Sequence, residues 1–383
     1  MDDVLLVPNL SLSIYYWIDV VLFFVFAITV LYLLLYASVS RLNDMPPYPS
    51  ATKSNRIAVV YLSFDTTWSI KECLDSYFNQ DYPFDKYKIF VVGPSISQDR
   101  QDIFRVMNVD YIVCDNTTLR RTLLSVFISE LENKDQFDFV AIHSVYDRVE
   151  SDFLSKVNDA LYSGCDVVQT HCMTINDESN WNVYKTISAE INNSIFRRAH
   201  CRLSLSSALS NTGMIMSVNI LKMCLKKKLT VGIEKQFEQV ILQNNYYIEY
   251  LDNVYTYDCK KEAAKDVYVK QKKLYWYYIK NMIRTIFYLP VGIIKGNIDY
   301  INKLLQWILP PRLVLIIIIA ILGCFTTFVD VFTSLKWWAL LFLLIITFYL
   351  AIPSSLIKGK LGRVLLLMPI YLLFGIKFNK DRE

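Results

Sequence analysis

The sequence is poor in the residues that loosen a backbone and in those that most often hold metal. Its 383 residues include only 10 glycines and three histidines. With 54% hydrophobic and 14% aromatic residues beside so little glycine, a disordered or low-complexity chain is excluded. No block of Lys or Arg is long enough to make nucleic acid the main partner, and the +4 charge is spread along the chain. The eight cysteines form no CxxC pair and no metal-ligand spacing, and His143, His171 and His200 do not cluster with them. Core thiols in a reduced compartment are therefore favoured over a zinc site. A cleaved signal peptide is disfavoured as well: Asp2 and Asp3 stand where a basic n-region belongs, and no small-x-small cleavage site follows.

What the chain does have is apolar length. Ile14 to Ala37 is long enough to cross a bilayer, which needs about 20 residues, so residues 1–40 are expected to be an anchor. Asp19, near the outer end, is expected to snorkel or to face another helix. Arg41, Lys53 and Arg56 follow, which places this side in the cytoplasm. Residues 53–278 read as a soluble α/β domain. IAVVYLSF, YKIFVVG, VDYIVCD, FDFVAI and CDVVQTH are strands, with helices over 67–78, 118–132 and 151–164. That alternation predicts a mostly parallel sheet with helices on both faces.

Residues 279–312 are amphipathic, with Arg284, Lys295 and Lys303 spaced among aromatics, and are expected to lie in the membrane interface. The remainder, 313–383, holds two spans, Leu313 to Phe332 and Trp337 to Ile352, then Val364 to Ile376, which is short for a crossing, and a basic tail. Ligands of open α/β sheets sit beyond the ends of the strands. The stretch from Phe137 to Leu154, FDFVAIHSVYDRVESDFL, is accordingly where chemistry is expected. His143 there reads as a hydrogen-bonded structural residue more readily than as a ligand.

The order anchor, α/β domain, interfacial helices and paired spans resembles the membrane-bound, processive family-2 glycosyltransferases, the cellulose-synthase-like and hyaluronan-synthase-like enzymes. KECLDSYFNQDYP, ESDFL, SAEINNSIFRRAHCRLSLSSALSNTGMIM, EYLDNVYTYD and GNIDYINKLLQWILPPR carry the resemblance, and the long SAEINNSIF block is the most specific. It implies a GT-A, nucleotide-diphospho-sugar-transferase-like fold flanked by transmembrane helices. It also implies a divalent metal to neutralise the leaving diphosphate, a carboxylate to deprotonate the acceptor, and basic groups on phosphate.

Position by position, those parts are thin. Asp65 matches the nucleoside-holding end of the first strand, while the second strand ends in Gly93-Pro94-Ser95 without a carboxylate. Arg120 and Arg121 keep the charge expected near phosphate, and Arg121 is taken as the match. Ser144 and Tyr146 fall on the two acidic positions of Asp-x-Asp, and neither is a good ligand for Mg2+ or Mn2+. Asp147 is the nearest alternative metal ligand if the strand end bulges. Glu234 is the candidate base, with Lys235 beside it expected to lower its pKa. Gln271, Lys273 and Trp276 match the acceptor platform loosely.

The resemblance with these losses implies a non-catalytic member in bacterial surface or exopolysaccharide synthesis. It would sit in the inner membrane beside an active glycosyltransferase or an export component. No cofactor is expected, or Mg2+ or Mn2+ if the chain is active. The alternatives are an active nucleotide-sugar-dependent hexosyltransferase with a non-standard metal site, and a structural or translocation component of the membrane.

Overall fold

The computed structural model describes residues 8–42, 45–64, 71–114, 119–132, 137–174, 180–226, 232–260, 278–279, 281–294 and 296–356. Asp65, Gln271, Lys273, Trp276 and the segment from Val364 to Ile376 lie outside the described residues.

The chain enters through α1 (Pro8–Val39) and then builds one sheet. Its strands are β1 (Ile57–Leu62), β2 (Tyr87–Gly93), β3 (Asp110–Val113), β4 (Phe139–Ser144), β5 (Asp147–Val149), β6 (Val167–Thr174), β7 (Met214–Ser217) and β8 (Glu249–Asp258). Their spatial order is β3-β2-β1-β4-β7-β6-β8-β5. The first four are parallel neighbours, Ile57 pairing with Tyr87 on one side and Phe139 on the other. The other half is mixed. β7 runs antiparallel to both β4 and β6, β6 pairs in parallel with β8, and β5 closes antiparallel on β8.

β1 shows why these residues make a central strand. All six are buried, as expected where helices cover both faces of a parallel sheet. Successive side chains point to opposite faces. Ile57, Val59 and Tyr61 join one core, with α2 (Lys71–Phe78), α3 (Gln98–Val106) and α5 (Phe153–Tyr162). Ala58, Val60 and Leu62 join the other, with α4 (Arg120–Glu132), α8 (Val218–Lys226) and α9 (Ile233–Gln243). Each fully buried aliphatic or Phe side chain here stabilises the fold by about 1.5–3 kcal/mol.

The SAEINNSIF block forms α6 (Asn180–Asn192), a π-helical turn at Asn193–Arg198, and α7 (Ala199–Arg202). Its polar residues make one buried network. His171 on β6 lies between two carboxylates, Nε2 2.8 Å from Glu190 Oε1 and Nδ1 3.1 Å from Asp252 Oδ1. Asp252 is gripped by Arg198 through Nε at 2.5 Å and Nη2 at 2.7 Å. Asn193 donates to Glu190 Oε1 and to the Cys172 carbonyl. The two carboxylates raise the His171 pKa to about 9 despite burial, so the ring is charged at neutral pH. The block that looked most specific therefore ties α6 to the sheet, and its outer face packs on the membrane helices through Ile187, Ile191 and Ile195.

Beyond the sheet come α10 (Leu289–Ile294), α11 (Ile298–Ile308), α12 (Arg312–Val329) and α13 (Val331–Ala351). Among the described residues three helices, α1, α12 and α13, are long and apolar enough to cross a membrane. The second C-terminal helix starts at Val331, earlier than the sequence pattern placed it, because Asp330 caps it by accepting from the Phe332 and Thr333 amides. Asp19 faces another helix, pairing with Lys336 and accepting from Trp337 Nε1 at 2.7 Å. Tyr36 of α1 stacks on His200 at 3.9 Å between ring centroids. In α11, Lys303 is fully buried and donates to the Ser206 and Ser207 carbonyls and Gln306 Oε1.

Candidate functional site

The parallel strands end on one edge of the sheet, and β4 delivers His143, Ser144 and then the turn Val145-Tyr146-Asp147 to it. His143 is fully buried, with Nε2 2.7 Å from the Tyr77 hydroxyl. It is a structural residue of the strand end, as its isolation in sequence implied. Asp147 opens β5, and its side chain turns back into the protein, where it is 1% exposed. Its Oδ2 accepts from the Ser144 amide at 2.6 Å and from the Thr212 hydroxyl, and lies 3.8 Å from His143 Nδ1. The carboxylate closes the turn.

Tyr146 is half-buried, with the Lys260 ammonium 5.1 Å from its ring centre, a cation–π distance. The other three acids of the stretch are also engaged: Asp138 accepts from the Arg56 amide at 2.8 Å, Glu150 from the Tyr257 hydroxyl at 2.7 Å, and Asp152 pairs with Lys156 at 2.6 Å. Among the described residues no three His, Cys, Asp or Glu side chains group so as to hold a metal ion. The donor set at the strand end, a Ser hydroxyl, a Tyr phenol beneath a lysine, and an inward carboxylate, does not fit the divalent cation that the resemblance implies.

At the start of α4 the two arginines separate. Arg121, the expected phosphate contact, gives its Nη2 to the Leu225 carbonyl and so braces α4 on α8. Arg120 turns to the site instead. Its Nη1 lies 3.4 Å from Asn211 Oδ1, and Nε and Nη2 are buried without a partner among the described residues. Burial lowers its pKa, while Glu234 and Asp147 nearby pull it back up.

Glu234 lies in the first turn of α9, where the helix dipole favours an acid. Its pKa is raised, which corrects the expected lowering by Lys235: burial outweighs both Arg120 and that neighbour. Lys235 has its own pKa pushed down to about 8 by burial, and its ammonium rests over the rings of Tyr278 and Trp307 at 5.2 and 5.7 Å. Glu238, one turn on, accepts from the Leu209 amide at 2.7 Å and Trp307 Nε1 at 3.0 Å. Glu234, Lys235 and Glu238 line a cleft of about 490 Å³ between the α/β domain and the start of α12, with Arg197, Trp307 and Arg312 among the facing residues.

The structure thus brings Arg120, Asp147 and Glu234 into one electrostatic neighbourhood and sends Arg121 elsewhere. Arg120, Asn211, Thr212, Trp307 and Arg312 become site residues through long-range contacts that adjacency in sequence does not signal. Arg120 carried a cue as the first of a basic pair after the third strand, and the other four stand within blocks that carry the resemblance.

No family model matches the sequence, and no curated protein does. The fold is similar to a solved mannosyltransferase from Pyrobaculum calidifontis in complex with GDP-Man and Mn2+, at 14% identity and a TM-score of 0.50, over 86% of this chain and 96% of that one. Solved S. aureus TarS 1-349 with UDP-GlcNAc is also similar, at 15% identity and a TM-score of 0.39, over 58% of this chain and 66% of that one. The architecture is a glycosyltransferase-like α/β fold with three candidate membrane helices among the described residues.

Proposed function

We propose that this chain is a membrane-embedded, family-2-like glycosyltransferase scaffold of bacterial surface-polysaccharide synthesis that no longer performs metal-dependent transfer. It would act beside an active glycosyltransferase or an export component, with its α/β domain in the cytoplasm. The observation that carries the reading is the inward Asp147 carboxylate, spent on the Ser144 amide and Thr212 while Ser144 and Tyr146 take the outer positions. A divalent ion bridging a diphosphate needs anionic oxygens directed outward, and the described strand end supplies none.

A second reading has one observation in its favour. Arg120 keeps two unpartnered guanidinium nitrogens beside Glu234, whose raised pKa suits a proton acceptor better than an ordinary surface carboxylate. An active transferase would then neutralise diphosphate with arginine in place of metal.

Titrating the purified full chain with GDP-mannose, GDP and UDP, with and without Mn2+, separates them. The similar mannosyltransferase was solved with GDP-Man and Mn2+, which makes those the first probes. The proposed scaffold binds none of them in a metal-dependent way. Metal-dependent binding sinks that reading, and metal-independent binding lost in Arg120→Gln favours the second.

A further inference from the structure

The cleft below α9 has a chemistry that a sugar nucleotide arriving from water does not call for. Arg312 sits in the first turn of α12, where the chain turns from domain to span, and donates through Nη2 to Ser188 and to Asn192 Oδ1 at 3.1 Å. Arg197, only 7% exposed, lines the same cleft while its Nε donates to the Ala208 carbonyl at 3.0 Å. Lys235 faces them from α9. Two carboxylates share the space, but Glu238 is occupied by the Leu209 amide and Trp307, and Glu234 stands in the field of Arg120. The lining also has an apolar part, through Phe196, Leu309, Pro310 and Leu313.

We propose that this cleft seats the phosphate headgroup of an anionic membrane lipid, entering from the bilayer beside Leu313. Arg312 and Lys235 contact the phosphate, and the Phe196 to Leu313 wall takes the first methylenes of the chain. Position and charge carry the argument. A guanidinium on the first turn of a spanning helix lies at headgroup level, where phosphate is available at high local concentration. Three cations, Arg197, Lys235 and Arg312, face two carboxylates, and the lining combines polar and apolar residues as an amphiphile requires. A volume of about 490 Å³ holds a phosphate ester with part of its glycerol or chain. The inference goes beyond the scaffold reading, since an active and an inactive enzyme would use such a site alike.

The test uses the full chain in nanodiscs of phosphatidylcholine containing a photoactivatable phosphatidic acid, with the labelled residues mapped by mass spectrometry. Labelling should fall on Phe196 and on 306–313 and exceed that by a matching phosphatidylcholine probe. It should drop about tenfold in Arg312→Gln and in Lys235→Gln, as for loss of one charge-assisted contact, and Arg312→Lys should recover part of it. If Arg312→Gln fails to fold, Lys235→Gln decides, because among the described residues that side chain rests on two aromatic faces and makes no hydrogen bond to the scaffold. Equal labelling by the neutral probe, or labelling that neither variant reduces, overturns the proposal. So does competition by inorganic phosphate, which would mark a site for a water-borne anion.

Discussion

Replacing His171 by Gln should abolish a specific part of the pH dependence of stability. In the folded protein the ring is held between Glu190 and Asp252, and its pKa is raised from 6.5 to about 9. A group whose folded pKa lies above its unfolded value binds its proton more tightly when folded. Its contribution is whole below pH 6.5 and is lost as pH rises through 9. At about 1.4 kcal/mol per pH unit, the difference amounts to about 3 kcal/mol. The lowered pKa of Asp252 is the same attraction seen from the partner and is not added. For a domain of this size 1 kcal/mol moves the melting temperature by about 2–4 °C. The wild type, purified in detergent, should therefore melt about 6–12 °C lower at pH 9.5 than at pH 6.5 through this residue alone. Buried thiols such as Cys172 also destabilise the fold above the ordinary thiol pKa, equally in both proteins, so the readout is the difference between wild type and variant. Parallel melting curves across that window would refute the account of the cluster.

Three further outcomes are expected. Asp147→Ala should lower stability by about 1–3 kcal/mol, the cost of stranding the Ser144 amide and Thr212 hydroxyl; the loss should be the same with and without Mn2+ in thermal unfolding, whereas a metal ligand would show it only with Mn2+. Asp19→Leu should loosen the packing of α1 on α13 by leaving Lys336 unpaired, and Asp19→Leu with Lys336→Leu should restore much of it, as read by thermal unfolding in nanodiscs. Gly213→Ala should cost several kcal/mol and be seen as low yield and early melting. The position has φ +67°, and a Cβ would run into Thr170 Oγ1.

The legible parts of the fold were those whose signal is local. β1, β2 and β4 announce themselves as short apolar runs because both their faces are covered, and the three long helices do so by apolar length. β7 is four residues, MIMS, too short to show a period, and α3, QDRQDIFRV, buries only Phe104, so its apolar stripe is a single residue. β8 is interrupted by a register shift opposite Thr170 and His171, which breaks its alternation. At the site, Ser144 and Tyr146 could be placed by counting, because the strand and the following helix fix the spacing. The choice between Arg120 and Arg121 could not, since it depends on where α4 packs against α8. The direction of the Glu234 pKa was misjudged for a similar reason: the adjacent Lys235 is visible in sequence, and the burial that overrides it is a property of the assembled cleft.

The π-helical turn at Asn193–Arg198 has a consequence for how this protein can change. Such a turn carries an extra residue within an otherwise α-helical run, and each residue of an α-helix is worth about 100° of rotation. The wider turn takes up that rotation, so the residues after it face as they would in a regular helix one residue shorter: Arg198 reaches Asp252 and His200 stacks on Tyr36 while Ile187 and Ile191 stay on the membrane bundle. An insertion into the regular turns of α6 has no such slack and would swing Arg198 and His200 about a quarter-turn from their partners. The segment is thus the one place in this run where a change in length is already absorbed between bilayer and sheet.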